Sequence, residues 1–306
     1  MSTSRCAVLG ALFLAGTSAA AAAQVADTTF WWADDARRSA YVTSHGAERA
    51  YPGVVLWALP DSLGASWDDA HGQALAAGIA ALRGLVGSHS WQRNGGRPLV
   101  FILSPGRFVS HATGQDTLFI PVARVRQGAA PFLHEAAHEL LAPRGPLFPF
   151  ESPDSAAVEA AADRFPYWLS EGLPDVLAQM AAAASGFPEG DVFEVGGLAR
   201  VDATCRARLV GHPRRAELSA RLGRSGRLAA LFTAERMQVA PAYYACSQSL
   251  TRRLVERIGL ARTVALIPAI PDGSWVPALE AALGMPLDAF RREWLGRQGI
   301  PDDLTD

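Results

Sequence analysis

The sequence predicts an α+β chain in which a mixed sheet packs on one short, chemically loaded helix and a helical C-terminal lobe follows. Three observations lead there. Short apolar runs bounded by Pro, Gly and Asp fall in the N-terminal half. A His-Glu-Ala-Ala-His pentad lies inside an apolar stretch at 131–141. Beyond about residue 165 the pattern turns helical, with Gly and Pro as punctuation. The predicted organisation is a leader at 1–23, an N-terminal α/β lobe at 24–142 that includes the pentad helix, and a helical lobe at 143–306.

The first 23 residues have the layout of a secretory signal: Arg5 as a short positive region, Ala7 to Ala15 as a compact apolar core, and Ala21-Ala22-Ala23 as a small-residue cleavage site. The core is far shorter than the ~20 residues that span a bilayer, so no stable membrane insertion is expected after cleavage. Cys6 precedes the core, which argues against a lipid-modified cysteine at the cleavage site. An extracytoplasmic protein, periplasmic or secreted, is the expectation. Cleavage leaves Cys205 and Cys246, which such a compartment permits to pair and which serve equally well as two buried thiols.

A formal net charge of −2 and the lack of any basic run exclude a nucleic-acid partner, because phosphate binding needs a Lys/Arg stripe. Val54 to Leu59 reads as a buried strand ended by Pro60-Asp61. Asp68 to Val86 reads as a helix with Ala74, Leu75, Ile79, Leu82 and Val86 near one stripe and two aspartates suited to its first turn. Pro98 to Leu103 is a second buried strand. Thr117 to Val122 is a third, and Pro121 demotes it to an edge strand or a strand end, where an extended substrate has room to pair. Nothing functional is read at 30–50, and His45, His71, His89 and His111 lack a partner at ligand spacing.

The pentad, His134-Glu135-Ala136-Ala137-His138, carries the chemistry. On a helix, residues four apart project from one face one turn above the other, so both imidazoles can hold one tetrahedral ion. Glu135 sits about 100° round the helix, out of the ligand set and in reach of an attacking water. That is the place of a general base. Two neutral imidazoles plus a carboxylate suit Zn2+, one ion. A histidine six residues after His138 would complete one common ligand set, but Arg144 stands there, and Leu141 occupies the position of that pattern's glycine. The third ligand is therefore sought on a second helix. Glu171, 33 residues after His138, is flanked by Trp168, Leu169 and Leu173. A carboxylate so poorly solvated needs a cation, and a buried salt bridge is the competing account. Glu151, Glu159 and Asp163 compete as ligands but lie in polar or Ala-rich surroundings. Asp175, one turn beyond Glu171, is placed to orient a ligating histidine.

With His-Glu-Ala-Ala-His followed by Trp168-Leu169-Ser170-Glu171-Gly172, the chain resembles the gluzincin metallopeptidases, most closely their short peptidase-MA-like members, over roughly residues 95 to 295. The resemblance implies a zincin-like domain, His134, His138 and Glu171 as zinc ligands, and Glu135 as base. It also implies a tyrosine opening a later helix as an oxyanion donor. Tyr244 aligns best, with Tyr243 beside it, and a half-buried core tyrosine is the competing account. Two features depart from the larger branches: no Gly-x-Met-Glu-Asn sequence precedes the pentad, and the chain is too short for their extra domains.

The expected function is zinc-dependent hydrolysis of a peptide or protein substrate. The alternatives are a catalytically silent gluzincin-like binding protein that keeps the metal site, and a structural zinc site, against which stands the count of three ligands rather than four. The remaining segments read as a continuation of the second helix to Ala184, a Gly-rich polar loop at 187–200, and short helices at 228–234, 243–258, 261–267, 275–283 and 287–295.

Overall fold

The computed structural model describes residues 34–60, 62–63, 67–87, 96–141, 164–226, 228–270 and 273–302. The predicted leader, and the segment holding Glu151, Glu159 and Asp163, lie outside the described residues. Among the described residues no helix is long and apolar enough to cross a membrane.

The chain is mixed α/β, built on a five-stranded mixed sheet. Helix α1 (Asp35–His45) leads into β1 (Ala47–Tyr51) and β2 (Val54–Ala58); α2 (Asp69–Val86) crosses to β3 (Leu99–Ser104); β4 (His111–Ala112) and β5 (Thr117–Pro121) follow. The sheet order is β1-β2-β3-β5-β4, with β2, β3 and β5 parallel and the two outer strands antiparallel to their neighbours. The three parallel strands are those the apolar runs predicted, because strands covered on both faces lose their polar alternation. β1 carries the sequence Ala-Glu-Arg-Ala-Tyr and is almost wholly exposed, so no apolar pattern announces it. α2 begins where the aspartates suggested: Asp68 caps it, its side chain accepting from the His71 backbone N–H.

Of the two places Pro121 allowed, an edge strand or a strand end, the strand end is the one observed. β5 is not an edge strand, since β4 pairs with it at Leu118 and Phe119. Pro121 is its last residue, where a missing N–H is tolerated. The pairing edge proposed for a substrate on this strand is thus already taken by β4 along those two residues.

Among the described residues the chain continues with α3 (Val122–Arg126), α4 (Phe132–Leu141), α5 (Tyr167–Ser185), α6 (Val201–Leu209), α7 (Arg215–Arg221), α8 (Arg236–Ile258), α9 (Leu260–Val264), α10 (Trp275–Leu283) and α11 (Leu287–Gln298), with short 3-10 turns at 229–232 and 267–269. One sheet face, with Ile102 and Phe119, packs against Val42 of α1. From the other, Val54, Leu56, Phe101 and Ile120 join α2, α4 and α5, and the same apolar cluster continues into α8, α10 and α11. Residues on both sides of the expected 142/143 boundary share this core.

Cys205 of α6 and Cys246 of α8 form a disulfide, their Cα atoms 4.6 Å apart, which settles the choice left open between a bridge and two thiols. The bridge closes a loop of 41 residues, so in the chain-entropy account its loss costs about 4 kcal/mol. A Cys205→Ala/Cys246→Ala variant is expected to show a clearly lower urea midpoint; an unchanged midpoint, or two free thiols in the unfolded native protein, refutes the bridge.

Candidate metal centre

α4 is buried on nearly every side. Phe132, Leu133, Ala136, Ala137, Leu140 and Leu141 belong to the core, which leaves the helix no freedom to rotate and fixes where its histidines point. Both ends are held by carboxylates. Glu139 accepts from the backbone N–H of Gly114 at 2.7 Å and of Asp116 at 2.9 Å, tying α4 to the turn between β4 and β5. At the other end, Glu189 from the loop after α5 accepts from the N–H groups of Leu133 (2.9 Å) and His134 (3.0 Å), satisfying donors that a helix cannot pair internally. Gly190 makes this possible: a Cβ there would stand 2.4 Å from the backbone of Ala129 and Ala130. Burial pushes the Glu189 carboxyl up to about 8, while the two backbone donors and His134 pull the other way. The loop at 187–200 is thus a clamp on the histidine helix. Nothing in one dimension marks Glu189 for this, since 55 residues separate it from His134.

α5 supplies the second half of the site. Trp168, Leu169 and Leu173 are fully buried around Glu171. Next to it, Gly172 lets α8 approach backbone to backbone, since a Cβ at that position would lie 2.4 Å from the Ser247 carbonyl oxygen. Any side chain there would push α8, and Tyr243-Tyr244 with it, away from Glu171.

The structure brings His134, His138 and Glu171 together, and these residues can hold a metal ion. The two Nε2 atoms are 3.0 Å apart, and Glu171 Oε2 lies 3.8 Å from that of His134 and 3.6 Å from that of His138. Donors bound to one tetrahedral ion at ~2.0–2.1 Å stand about 3.3 Å from each other, so this triangle fits one ion with small adjustments. Asp175 is where the helix repeat placed it: its Oδ1 is 2.6 Å from His134 Nδ1. That hydrogen bond assigns the ring proton to Nδ1 and leaves Nε2 as a lone-pair donor toward the triangle.

The electrostatics agree with the donor set. Burial by itself lowers the His134 imidazole, yet with no cation beside it the carboxylates of Asp175, Glu135 and Glu171 push it up to about 10. Burial raises Glu171, but His138, His134 and Arg236 outweigh it and hold the carboxyl below its ordinary value. A position that retains a proton this strongly is one where positive charge is favourable, and a metal competes for it by displacing that proton.

Glu135 is 6% exposed and stands outside the donor triangle, although its charge is felt at His134, Arg124 and Tyr244. Of the adjacent tyrosines, Tyr243 is fully buried. Tyr244 is half-buried, its ring centroid 4.6 Å from that of Phe193 and its Oη 3.5 Å from Arg236 Nη2. Burial and the nearby Glu171 raise the Tyr244 phenol, which therefore keeps its proton and remains a donor. Two arginines that carried no signal in the sequence, Arg124 of α3 and Arg236 of α8, share this field. Arg236 was hidden by a boundary: the sequence pattern starts that helix at Tyr243, whereas α8 begins at Arg236 and carries Pro241 within it. Comparison with protein-family models, with curated proteins and with solved structures returned no match, so any function assigned to this centre rests on its residues and their geometry.

Proposed function

We propose that the chain is an exported zinc-dependent peptidase of the gluzincin type, with a zincin-like domain carrying His134, His138 and Glu171 as ligands. The observation that carries this reading is the division of labour around α4. Two donors from one helix and one from a second make the triangle, three protein ligands leave a coordination position open, and the buried Glu135 beside them is not a ligand. A donor set of two imidazoles and a carboxylate, with no thiolate, favours zinc. When bound, zinc supplies Lewis acidity, polarising the scissile carbonyl and acidifying the attacking water. The chain's own groups do the rest. Asp175 holds the proton on His134 Nδ1. Glu135 takes a proton from the attacking water and passes it to the leaving amine nitrogen. The Tyr244 hydroxyl donates to the oxygen on which negative charge develops. Trp168, Leu169 and Leu173 keep water from Glu171. Export is supported by the composition of residues 1–23 and by the Cys205–Cys246 bridge, which suits an oxidising compartment.

Digestion of a random peptide library by the zinc-loaded protein tests this reading. Cleavage products that vanish on chelation and return with zinc are expected. Full zinc occupancy without cleavage of any peptide would instead favour the catalytically silent binding protein.

A further inference from the structure

Among the described residues, two arginines beside the metal centre form no ion pair, although the charge of Arg236 is felt at Glu171 and that of Glu135 at Arg124. Arg236, the first residue of α8, is half-buried, and among the described residues its guanidinium makes one polar contact, with the Tyr244 hydroxyl at 3.5 Å, at the long limit of a hydrogen bond. The adjacent carboxylate, Glu235, is committed elsewhere, gripped by Arg214, which also holds Glu217. Further along the same helix, Arg252 pairs with Glu256 and Arg253 with Glu293. Arg124, on the short helix between β5 and α4, is likewise half-buried and forms no ion pair among the described residues. Burial lowers it from its ordinary value, Glu135 opposes that, and Arg236 adds to it, so the two positive charges repel each other.

We propose that Arg236 and Arg124 form a subsite for a carboxylate of the substrate, next to Glu135 and Tyr244. A planar carboxylate beside Arg236 matches the guanidinium fork in geometry and charge, and its negative charge offsets the repulsion between the two arginines. Phe193, its ring tilted 36° against that of Tyr244, adds an apolar wall. On the peptidase reading, on which the substrate class rests, the carboxylate belongs either to the peptide's C-terminus or to an Asp or Glu side chain near the scissile bond.

Calorimetric binding to zinc-loaded Glu135→Gln protein separates these sources without turnover. The probes are acetyl-tetraalanine with a free C-terminal carboxylate, the same peptide amidated, and amidated peptides in which one Glu is walked along the chain. One anionic probe is expected to bind roughly 10- to 100-fold tighter than the plain amide, the gain of a charge-assisted hydrogen bond; which probe gains identifies the source. Arg236→Gln and Arg124→Gln, each in the same background and with zinc content checked, should shrink that difference, and Arg236→Lys should restore part of it. Equal binding of all probes overturns the proposal, as does a difference that survives in both arginine variants. An arginine-dependent difference in a protein whose native form cleaves no peptide upholds the subsite and removes the peptidase reading. Cleavage without any charge preference in binding does the reverse.

Discussion

Glu135→Gln is expected to keep zinc and fold while peptide hydrolysis falls by about 10² to 10⁴, the usual loss for a general base, and further because the same group also protonates the leaving amine. The substitution preserves shape at a site that is 6% exposed, so a packing defect cannot account for the loss. It also leaves the donor triangle intact, since Glu135 is not part of it. Tyr244→Phe is the internal comparison. Its hydroxyl lies 3.5 Å from Arg236 and feels the charges of Glu171 and Glu135, and an oxyanion donor removed there costs on the order of 10² to 10³. A peptide cleaved equally well by the native protein and by Glu135→Gln, at equal zinc occupancy, sinks the proposed mechanism. A neutral Tyr244→Phe would return that residue to the core.

Glu171→Ala and His134→Ala are expected to lose the metal and, with it, all activity. Each removes one of three donors and leaves two, whose Nε2–Nε2 or N–O separation no longer encloses an ion. Elemental analysis of the purified proteins should give one zinc per native chain and far less in either variant; equal zinc in all three refutes the ligand assignment. Asp175→Asn is the graded case. Its amide cannot hold the His134 proton as the carboxylate does at 2.6 Å, and second partners of this kind typically account for about 10- to 100-fold in metal affinity. A normal affinity in Asp175→Asn would show that the packing of α4 alone orients the ring.

Much of this site was legible because its constraints are local. His134 and His138 share a face by helix pitch alone, and Glu171 betrays itself through Trp168, Leu169 and Leu173, whose burial around a carboxylate makes sense only beside positive charge. α2 and α10 were readable for a similar reason. The first is periodic and capped by Asp68, and the second ends at Gly284, which adopts the left-handed conformation expected of a helix stop. Elements without an apolar signature escaped: β1 is polar and exposed, and α6 carries three arginine or aspartate residues between Val201, Cys205 and Leu209.

By itself the sequence determined the residue types of the centre, the common face of the two histidines, the place of Glu135 off that face, and the strands buried on both sides. Each follows from spacing within a few turns or a few pleats, where backbone geometry leaves no alternative. The tertiary structure alone decided that Glu171 comes within 3.8 Å of both imidazoles and that Glu189 closes the start of their helix. It also decided that Cys205 meets Cys246, that β4 covers part of β5, and that Arg124 and Arg236 come near enough to feel each other's charge. These pairings join segments tens of residues apart. They depend on which helices pack together and how closely, and the contact of Gly172 with the Ser247 carbonyl shows the limit: one missing Cβ sets the approach of two helices, and no periodicity records it.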